Sequence, residues 1–194
     1  INNGLIQRTD GGNVIGTSGG NGIDFTNNGT VNGNLFFAKG DDNLTFMPGS
    51  NVTGNIDGGG GNNKLTLNGG SDKVGGKLNG AIKNFTSLTK TGTGLWEITG
   101  PMQGFDTVDV HQGGLGLSGN NDGFTGKITV RKDASLSAKA ESLPVNHPVN
   151  GNVGNIDLTD GGTLIFEQDD NGSYQGQIIG DGSVIKTGSG IVAL

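Results

Sequence analysis

Thr30-Val31-Asn32-Gly33-Asn34-Leu35 is a six-residue unit that returns twice more along the chain. It recurs as Asn51-Val52-Thr53-Gly54-Asn55-Ile56 and, more loosely, as Lys73-Val74-Gly75-Gly76-Lys77-Leu78. The valines stand at positions 31, 52 and 74, so the interval is nearly constant. A repeated interval of this size is typical of solenoids, in which each repeat is one unit stacked on the next.

A second segment keeps the same interval, because Gly40-Asp41-Asp42-Asn43-Leu44-Thr45-Phe46 returns as Gly61-Asn62-Asn63-Lys64-Leu65-Thr66-Leu67. In both repeated segments, apolar residues alternate with polar or small residues, which indicates short β-strands with one buried face. A coil of about 21 residues with two or three strands is one turn of a parallel β-helix. The alternation in the six-residue unit and its two repeats predicts these inward-facing residues: Val31, Leu35, Val52, Ile56, Val74 and Leu78.

The second half keeps the pattern of strand, turn and strand at 108–117, 128–136 and 156–164, although the last interval is longer than the others. The extra length falls at 141–152, which carries Pro144 and Pro148. Proline cannot join a central ladder, so this segment is predicted to be a protruding loop. The sequence therefore predicts an all-β, right-handed parallel β-helix of roughly eight to nine turns, with 1–194 as a single domain.

The composition is typical of a coiled chain in which many residues lie in turns between short strands. Gly supplies 41 and Asn 23 of the 194 residues, which disfavours helices. A strict Gly-X-Y period is missing, so the chain is not collagen. The net charge of −6 argues against nucleic acid as a partner. Asparagines in aligned turns are expected to form stacked amide ladders or to take left-handed conformations. There is no Cys, hence no disulfide framework, and no apolar stretch approaches a membrane span.

One motif occurs twice: Lys90-Thr91-Gly92-Thr93-Gly94-Leu95-Trp96-Glu97-Ile98-Thr99-Gly100 and Lys186-Thr187-Gly188-Ser189-Gly190-Ile191-Val192-Ala193-Leu194. A strand follows the glycines in each copy. The inward-facing residues are predicted to be Trp96, Ile98, Val192 and Leu194.

The first copy, together with Asn121-Asp122-Gly123-Phe124-Thr125-Gly126-Lys127-Ile128-Thr129-Val130, resembles the passenger-associated transport repeat of bacterial autotransporters. The resemblance covers 85–140 and 178–194. It implies a right-handed parallel β-helix that is exported across the outer membrane by a C-terminal barrel. The expected membrane link is only through that barrel, which is absent from this sequence, as is a signal peptide. The chain is therefore expected to be a fragment of a longer passenger.

Catalytic chemistry is weakly supported. The only histidines are His111 and His147, and no properly spaced nucleophile elbow accompanies them. Adjacent Asp41 and Asp42 should point to opposite faces of a strand, so they do not make a carboxylate pair. We therefore expect no enzyme activity, with a secreted polysaccharide-active β-helix as the alternative.

A calcium-binding roll is a second alternative. Gly40-Asp41-Asp42-Asn43-Leu44 fits part of the nine-residue repeat of such rolls, as do segments beginning at Gly61 and Gly70. However, Asn63 stands where a carboxylate is needed, and Ca²⁺ prefers several anionic oxygen ligands. No metal and no cofactor are expected.

The resemblance favours an adhesin that is displayed on the bacterial cell surface or outer membrane, or secreted. Its expected partners are host cell-surface or extracellular-matrix molecules, or sister passengers, bound through many weak contacts. Of the neighbours Phe36 and Phe37, one ring should face outward; local packing at the turn edge is the favoured interpretation, and a binding contact is the alternative. The loop supplies the main candidate binding residues: Glu141, Ser142, Leu143, Pro144, Val145, Asn146, His147 and Pro148.

Overall fold

A computed structural model describes residues 1–71, 75–145 and 155–194, and every statement below refers to these residues. The chain coils so that each turn adds one strand to each of two or three sheets. All strand pairs are parallel, and stacked coils are spaced by about 4.8 Å, the usual distance between paired strands. The predicted parallel β-helix of about eight turns is confirmed.

Within the described residues, the solenoid comprises three long sheets and one short ribbon. Sheet I has nine strands: β1 Leu5–Gln7, β4 Thr30–Asn32, β7 Asn51–Val52, β10 Gly76–Leu78, β13 Leu95–Ile98, β16 Gly113–Leu117, β18 Ala134–Ala138, β20 Thr163–Glu167 and β23 Ser183–Thr187. Sheet II has eight: β3 Asp24–Asn27, β6 Asn43–Phe46, β9 Lys64–Asn68, β12 Ser87–Thr91, β15 Thr107–Val110, β17 Lys127–Val130, β19 Asn155–Asp157 and β22 Gln177–Ile179. Sheet III has five: β2 Asn13–Gly16, β5 Asn34–Phe36, β8 Ile56–Asp57, β11 Ile82–Lys83 and β14 Met102–Gln103. The ribbon pairs β21 Gly172–Ser173 with β24 Val192–Ala193.

Alternation along the strands builds the core, because every second side chain points into the coil. Leu44, Leu65 and Leu88 lie in register on adjacent strands of sheet II and are buried. The same holds for Leu115, Leu136 and Leu164 on sheet I. The predicted inward positions of Trp96 and Ile98 are confirmed.

The register predicted for the third repeat is wrong. Val52 pairs with Leu78 and Ile56 pairs with Ile82, so each partner lies four positions beyond the one that the motif suggested. In the register that forms, Leu78 and Ile82 are both fully buried. The repeat motif instead matches Leu78 with Ile56, the position that Ile82 occupies. Burial of the large Leu78 and Ile82 side chains outweighs the loose similarity of the motif. Val74 lies outside the described residues.

Aromatic rings stack from coil to coil inside the solenoid. Phe105 lies 5.8 Å from Phe85 and 6.2 Å from Phe124, measured between ring centroids, and these residues come from three successive coils. Of the adjacent pair near the N-terminus, Phe37 is buried and Phe36 is exposed, as predicted. These contacts give the thin core continuous van der Waals packing along its axis.

Asparagine side chains at the corners link successive coils, but the bonds below run to backbone groups and differ from the stacked side-chain amides that were predicted. On the surface, Asn34 Oδ1 accepts from the Asn55 amide at 2.9 Å, and Asn55 Oδ1 accepts from the Ala81 amide at 2.9 Å. Inside, Asn121 Oδ1 accepts from the Met102 amide at 2.9 Å while its Nδ2 donates to the Ser142 carbonyl at 2.6 Å. These amides therefore satisfy backbone groups that the ladders leave free.

In residues 1–71, 75–145 and 155–194, helical structure is limited to two 3₁₀ turns, η1 Ala140–Ser142 and η2 Thr159–Gly161. Among the described residues, no helix has the length and apolar character needed to cross a membrane. In the last coil, Val192 is partly buried against the core, but Leu194 is 80% exposed, so its predicted inward position is wrong. Leu194 follows the end of β24, and no described coil covers it.

Candidate binding groove

The segment predicted to bind partners begins as a packed corner of the solenoid. Leu143 is fully buried, and Ser142 and Pro144 are also buried. Glu141 is exposed, and its carboxylate accepts from Gln168 Nε2 at 3.1 Å. Val145 is partly exposed, whereas Asn146, His147 and Pro148 lie outside the described residues. Recognition by this segment therefore stays a prediction, with Glu141 and Val145 as its accessible described members.

A concave feature lies on the outer face of sheet I. It consists of a cavity of about 720 Å³ and an adjoining one of about 240 Å³. Leu95, Ser137 and Glu167 line both cavities, so we treat them as one groove, here called the sheet I groove. The combined space is comparable to that of ordinary ligand sites, which span roughly 300–1,000 Å³.

Small outward-facing residues on two neighbouring strands form the floor of the groove. Gly114 and Gly116 lie on β16, and their register partners on β18 are Ser135 and Ser137. Because side chains alternate across a strand, the large residues between them, such as Leu115 and Leu136, point into the core. The outer surface is therefore depressed over two strands, while the inner face stays fully packed.

Longer side chains on the flanking strands form the walls. Leu95 and Glu97 rise from β13 on one side, and Ile165 and Glu167 rise from β20 on the other. Leu95 is 47% exposed, so its side chain offers apolar surface to the groove. Each wall thus pairs one aliphatic and one acidic side chain, and the groove offers both apolar and anionic contacts.

The electrostatic balance of the groove is negative. Lys77 Nζ lies 3.3 Å from Glu97 Oε2, so this pair is largely neutralised. Glu167 and Asp133 also line the groove, and within the described ranges neither forms an ion pair or a side-chain hydrogen bond. Two uncompensated carboxylates therefore remain at the groove, where a cationic group would be favoured.

A second polar cluster lies on the outer face of sheet II. The Arg131 guanidinium donates to both carboxylate oxygens of Asp109, at 2.9 and 2.6 Å, and His111 Nε2 lies 3.1 Å from Asp109 Oδ2. Burial alone would raise the pKa of Asp109, but hydrogen bonds from Arg131 and the charges of His111 and Arg131 lower it below its ordinary value. The bidentate pair joins two adjacent coils, and its geometry is that of a structural clamp.

The carboxylates considered for catalysis and calcium binding do not converge. Asp41 is exposed and Asp42 is buried, so they face opposite ways as predicted. Asp41 Oδ1 accepts from the Asn62 amide at 2.8 Å, and the Asn63 side chain is buried and hydrogen-bonded to backbone groups. In the part of the chain that the structure describes, no group of three or more His, Cys, Asp or Glu is placed to hold a metal ion.

The residues of the sheet I groove were not singled out by sequence reasoning. Its walls come from Glu97 and Glu167, which are distant in the sequence and become neighbours only through the stacking of coils. A usable signal was present in Gly113-Gly114-Leu115-Gly116 and in Ser135 and Ser137, because small residues at alternate outward positions of two coils predict a depression.

Comparisons with protein-family models, with curated proteins and with solved structures find no match for this chain. The fold and the groove therefore define the protein as a parallel β-solenoid with an acidic, partly apolar groove on its widest sheet.

Proposed function

We propose that the chain is a segment of a surface-exposed autotransporter passenger that acts as an adhesin. The observation that carries the proposal is the continuous nine-stranded ladder of sheet I, which holds a groove on a rigid, fully packed scaffold. Such a ladder keeps a binding surface in fixed geometry away from its attachment point. Its partners would be host cell-surface or matrix molecules, or sister passengers, and its place would be the cell surface, the outer membrane or the medium.

The two motif copies that carry the resemblance support this reading, because they build the same local turn in different sheets. Lys90 lies in sheet II and Lys186 in sheet I, yet each ammonium donates to the carbonyl two residues further on, Gly92 and Gly188. A turn that forms from local contacts suits a chain that has to fold progressively during export.

A polysaccharide-active enzyme is the second candidate, since Glu97 and Glu167 line one groove. Their backbones are separated by three strand spacings and two residues, roughly 16 Å. Paired carboxyl groups of glycosidases lie only about 5–9.5 Å apart. The two side chains would have to lean toward each other across the floor, so binding is the better-supported role.

Adhesion to immobilised matrix proteins and to cultured cells tests the proposal directly. The purified chain should bind in a saturable manner, and Gly116→Val, which fills the floor of the groove, should weaken binding. Ser87→Val on the outer face of sheet II is the matched control. If the chain bound neither the immobilised matrix proteins nor the cultured cells, the adhesin role would be contradicted. New reducing ends after incubation with pectin, hyaluronan or chondroitin would instead favour the enzyme.

A further inference from the structure

The sheet I groove has the dimensions of an extended chain. The wall on the β13 side runs from Leu95 to Thr99, which corresponds to roughly 13 Å, or about four extended residues. Its width is fixed by β16 and β18, the two strands of the floor, which lie between the walls on β13 and β20. A groove that follows the strand direction accepts a linear ligand more readily than a compact one.

The walls suit a long side chain with an apolar stem and a cationic head. Leu95 and Ile165 offer aliphatic surface, and Glu97 and Glu167 lie one outward position further along the same strands. Lysine and arginine bury their methylene stems against apolar surface while the charged end stays accessible. The order of aliphatic and acidic residues on each wall matches that arrangement.

The negative charges that line the groove favour a cationic ligand. Asp133 and Glu167 have no ion-pair partner in the described part of the chain, and Lys77 offsets only Glu97. The whole chain carries a net charge of −6, so the long-range field also attracts cations. An acidic or phosphorylated ligand would meet repulsion from the uncompensated carboxylates of Asp133 and Glu167.

The lining argues for a peptide over a glycan. Pyranose rings present flat apolar faces that pack best against aromatic rings, and the described lining of the groove holds none. The floor hydroxyls of Ser135 and Ser137 can donate to and accept from peptide groups of a chain laid over them. We propose that the sheet I groove binds an extended, basic peptide segment of a partner protein; this rests on the adhesin role and names its class of partner.

A fluorescein-labelled peptide of alternating Lys and Thr, about eight residues long, is the probe. Its fluorescence anisotropy is followed as the 194-residue chain is added, at about 50 mM and about 300 mM salt. Saturable binding that weakens at the higher salt is expected. A Glu-Thr peptide of the same length should not bind.

Two groove variants and two controls locate the site. Gly116→Val is expected to weaken binding about tenfold or more by filling the floor. A Cβ at Gly116 meets no atom closer than 3.5 Å, so this variant should fold. Glu167→Gln should weaken binding about two- to fivefold, the range of an exposed ion pair. Ser87→Val and Asp106→Asn, both away from the groove, should bind like the unaltered chain.

Equal binding by all four variants would overturn the groove as the site, and displacement of the peptide by a neutral cello-oligosaccharide would overturn the peptide class. Failure of this inference is distinguishable from failure of the adhesin role. A chain that adheres to cells but ignores the basic peptide is an adhesin with another partner. If the groove variants lose peptide binding but the unaltered chain adheres to neither matrix nor cells, the groove binds the peptide and the adhesin role is wrong.

Discussion

Asp42 and Asn63 occupy the same corner in two successive coils, and Asn63 Oδ1 accepts a hydrogen bond from the Asp42 amide at 2.9 Å. Asn63 uses its Nδ2 to donate to the carbonyls of Gly58 and Asn84, at 2.8 and 2.9 Å. Asp42 accepts from the Ile23 amide with one oxygen, but its Oδ2 is buried without a partner in the described structure. A carboxylate thus stands where the fold is arranged for an amide.

Asp42→Asn should therefore stabilise the protein, by about 1–2 kcal/mol near pH 7. Burial, with a smaller effect from the Asp41 charge, raises the pKa of Asp42 above its ordinary value. The folded state then binds the proton more tightly, so the stability that Asp42 contributes is greatest at low pH and is lost as the pH rises through its folded pKa. Thermal melts followed by circular dichroism should show a gain for Asp42→Asn that is larger near pH 7 than near pH 4.

The reciprocal change, Asn63→Asp, is the matched control. It removes the donor to Gly58 and Asn84 and should destabilise the fold by about 2–3 kcal/mol near pH 7. Equal melting temperatures for the two variants would show that the corner does not discriminate amide from carboxylate.

Lys90→Met should destabilise the protein by about 1–3 kcal/mol. The Lys90 ammonium is fully buried and donates to the carbonyls of Thr91, Gly92 and Gln112 at 2.9, 2.7 and 2.8 Å. Methionine fills the same space but leaves all three acceptors without this donor. Denaturant unfolding of Lys186→Met is the control, because Lys186 is exposed and should contribute less. Similar losses in both variants would contradict a special role for the buried ammonium.

Burial of Lys90 also predicts that the stability of the fold depends on pH. Burial lowers the pKa of Lys90 to about 8. The unfolded chain then holds the proton more tightly, so the contribution of Lys90 to stability rises with pH between about 8 and the ordinary value of 10.5. Stability measured across this window should rise less in Lys90→Met than in the unaltered chain. Parallel curves would mean that Lys90 does not titrate in the window.

Gly100→Ala should destabilise the fold strongly, by about 2–4 kcal/mol. A Cβ at Gly100 would lie 2.0 Å from the carbonyl oxygen of Gly80, and one at Gly80 would lie 2.2 Å from that of Gly54. Backbones of successive coils thus approach too closely for any side chain. Gly116→Ala is the control, since its Cβ meets only ordinary contacts from 3.5 Å outward. A mild effect at Gly100 would show that the coils can move apart.

These glycines show how far the sequence could be read. The repeat spacing correctly paired Gly33 with Gly54, and the Leu-Thr-Phe and Leu-Thr-Leu strands paired as expected. The next member of the column is Gly80, whereas the motif suggested Gly76. Several Gly-rich alignments are nearly equivalent by sequence, and the choice depends on burial of Ile82, a tertiary effect that local similarity does not contain.

The candidate site was harder to predict for a related reason. Leu95 and Glu97 look like ordinary outward positions of a strand, and so do Ile165 and Glu167. They become the walls of a groove only because β16 and β18, which lie between them, present Gly and Ser outward. Such a site is defined by differences in side-chain height between coils, and a search within one repeat cannot find it.

The longest coil leads from Ile128 to its register partner Ile156 on sheet II, and from Ala138 to Phe166 on sheet I, so its added length is the same on both sheets. Both ladders continue through it with their inward columns unbroken. The length of a corner is therefore independent of the register of the strands on either side. A protein of this architecture can acquire, exchange or lose surface segments between coils while its interior stays the same, so recognition and folding can diversify separately.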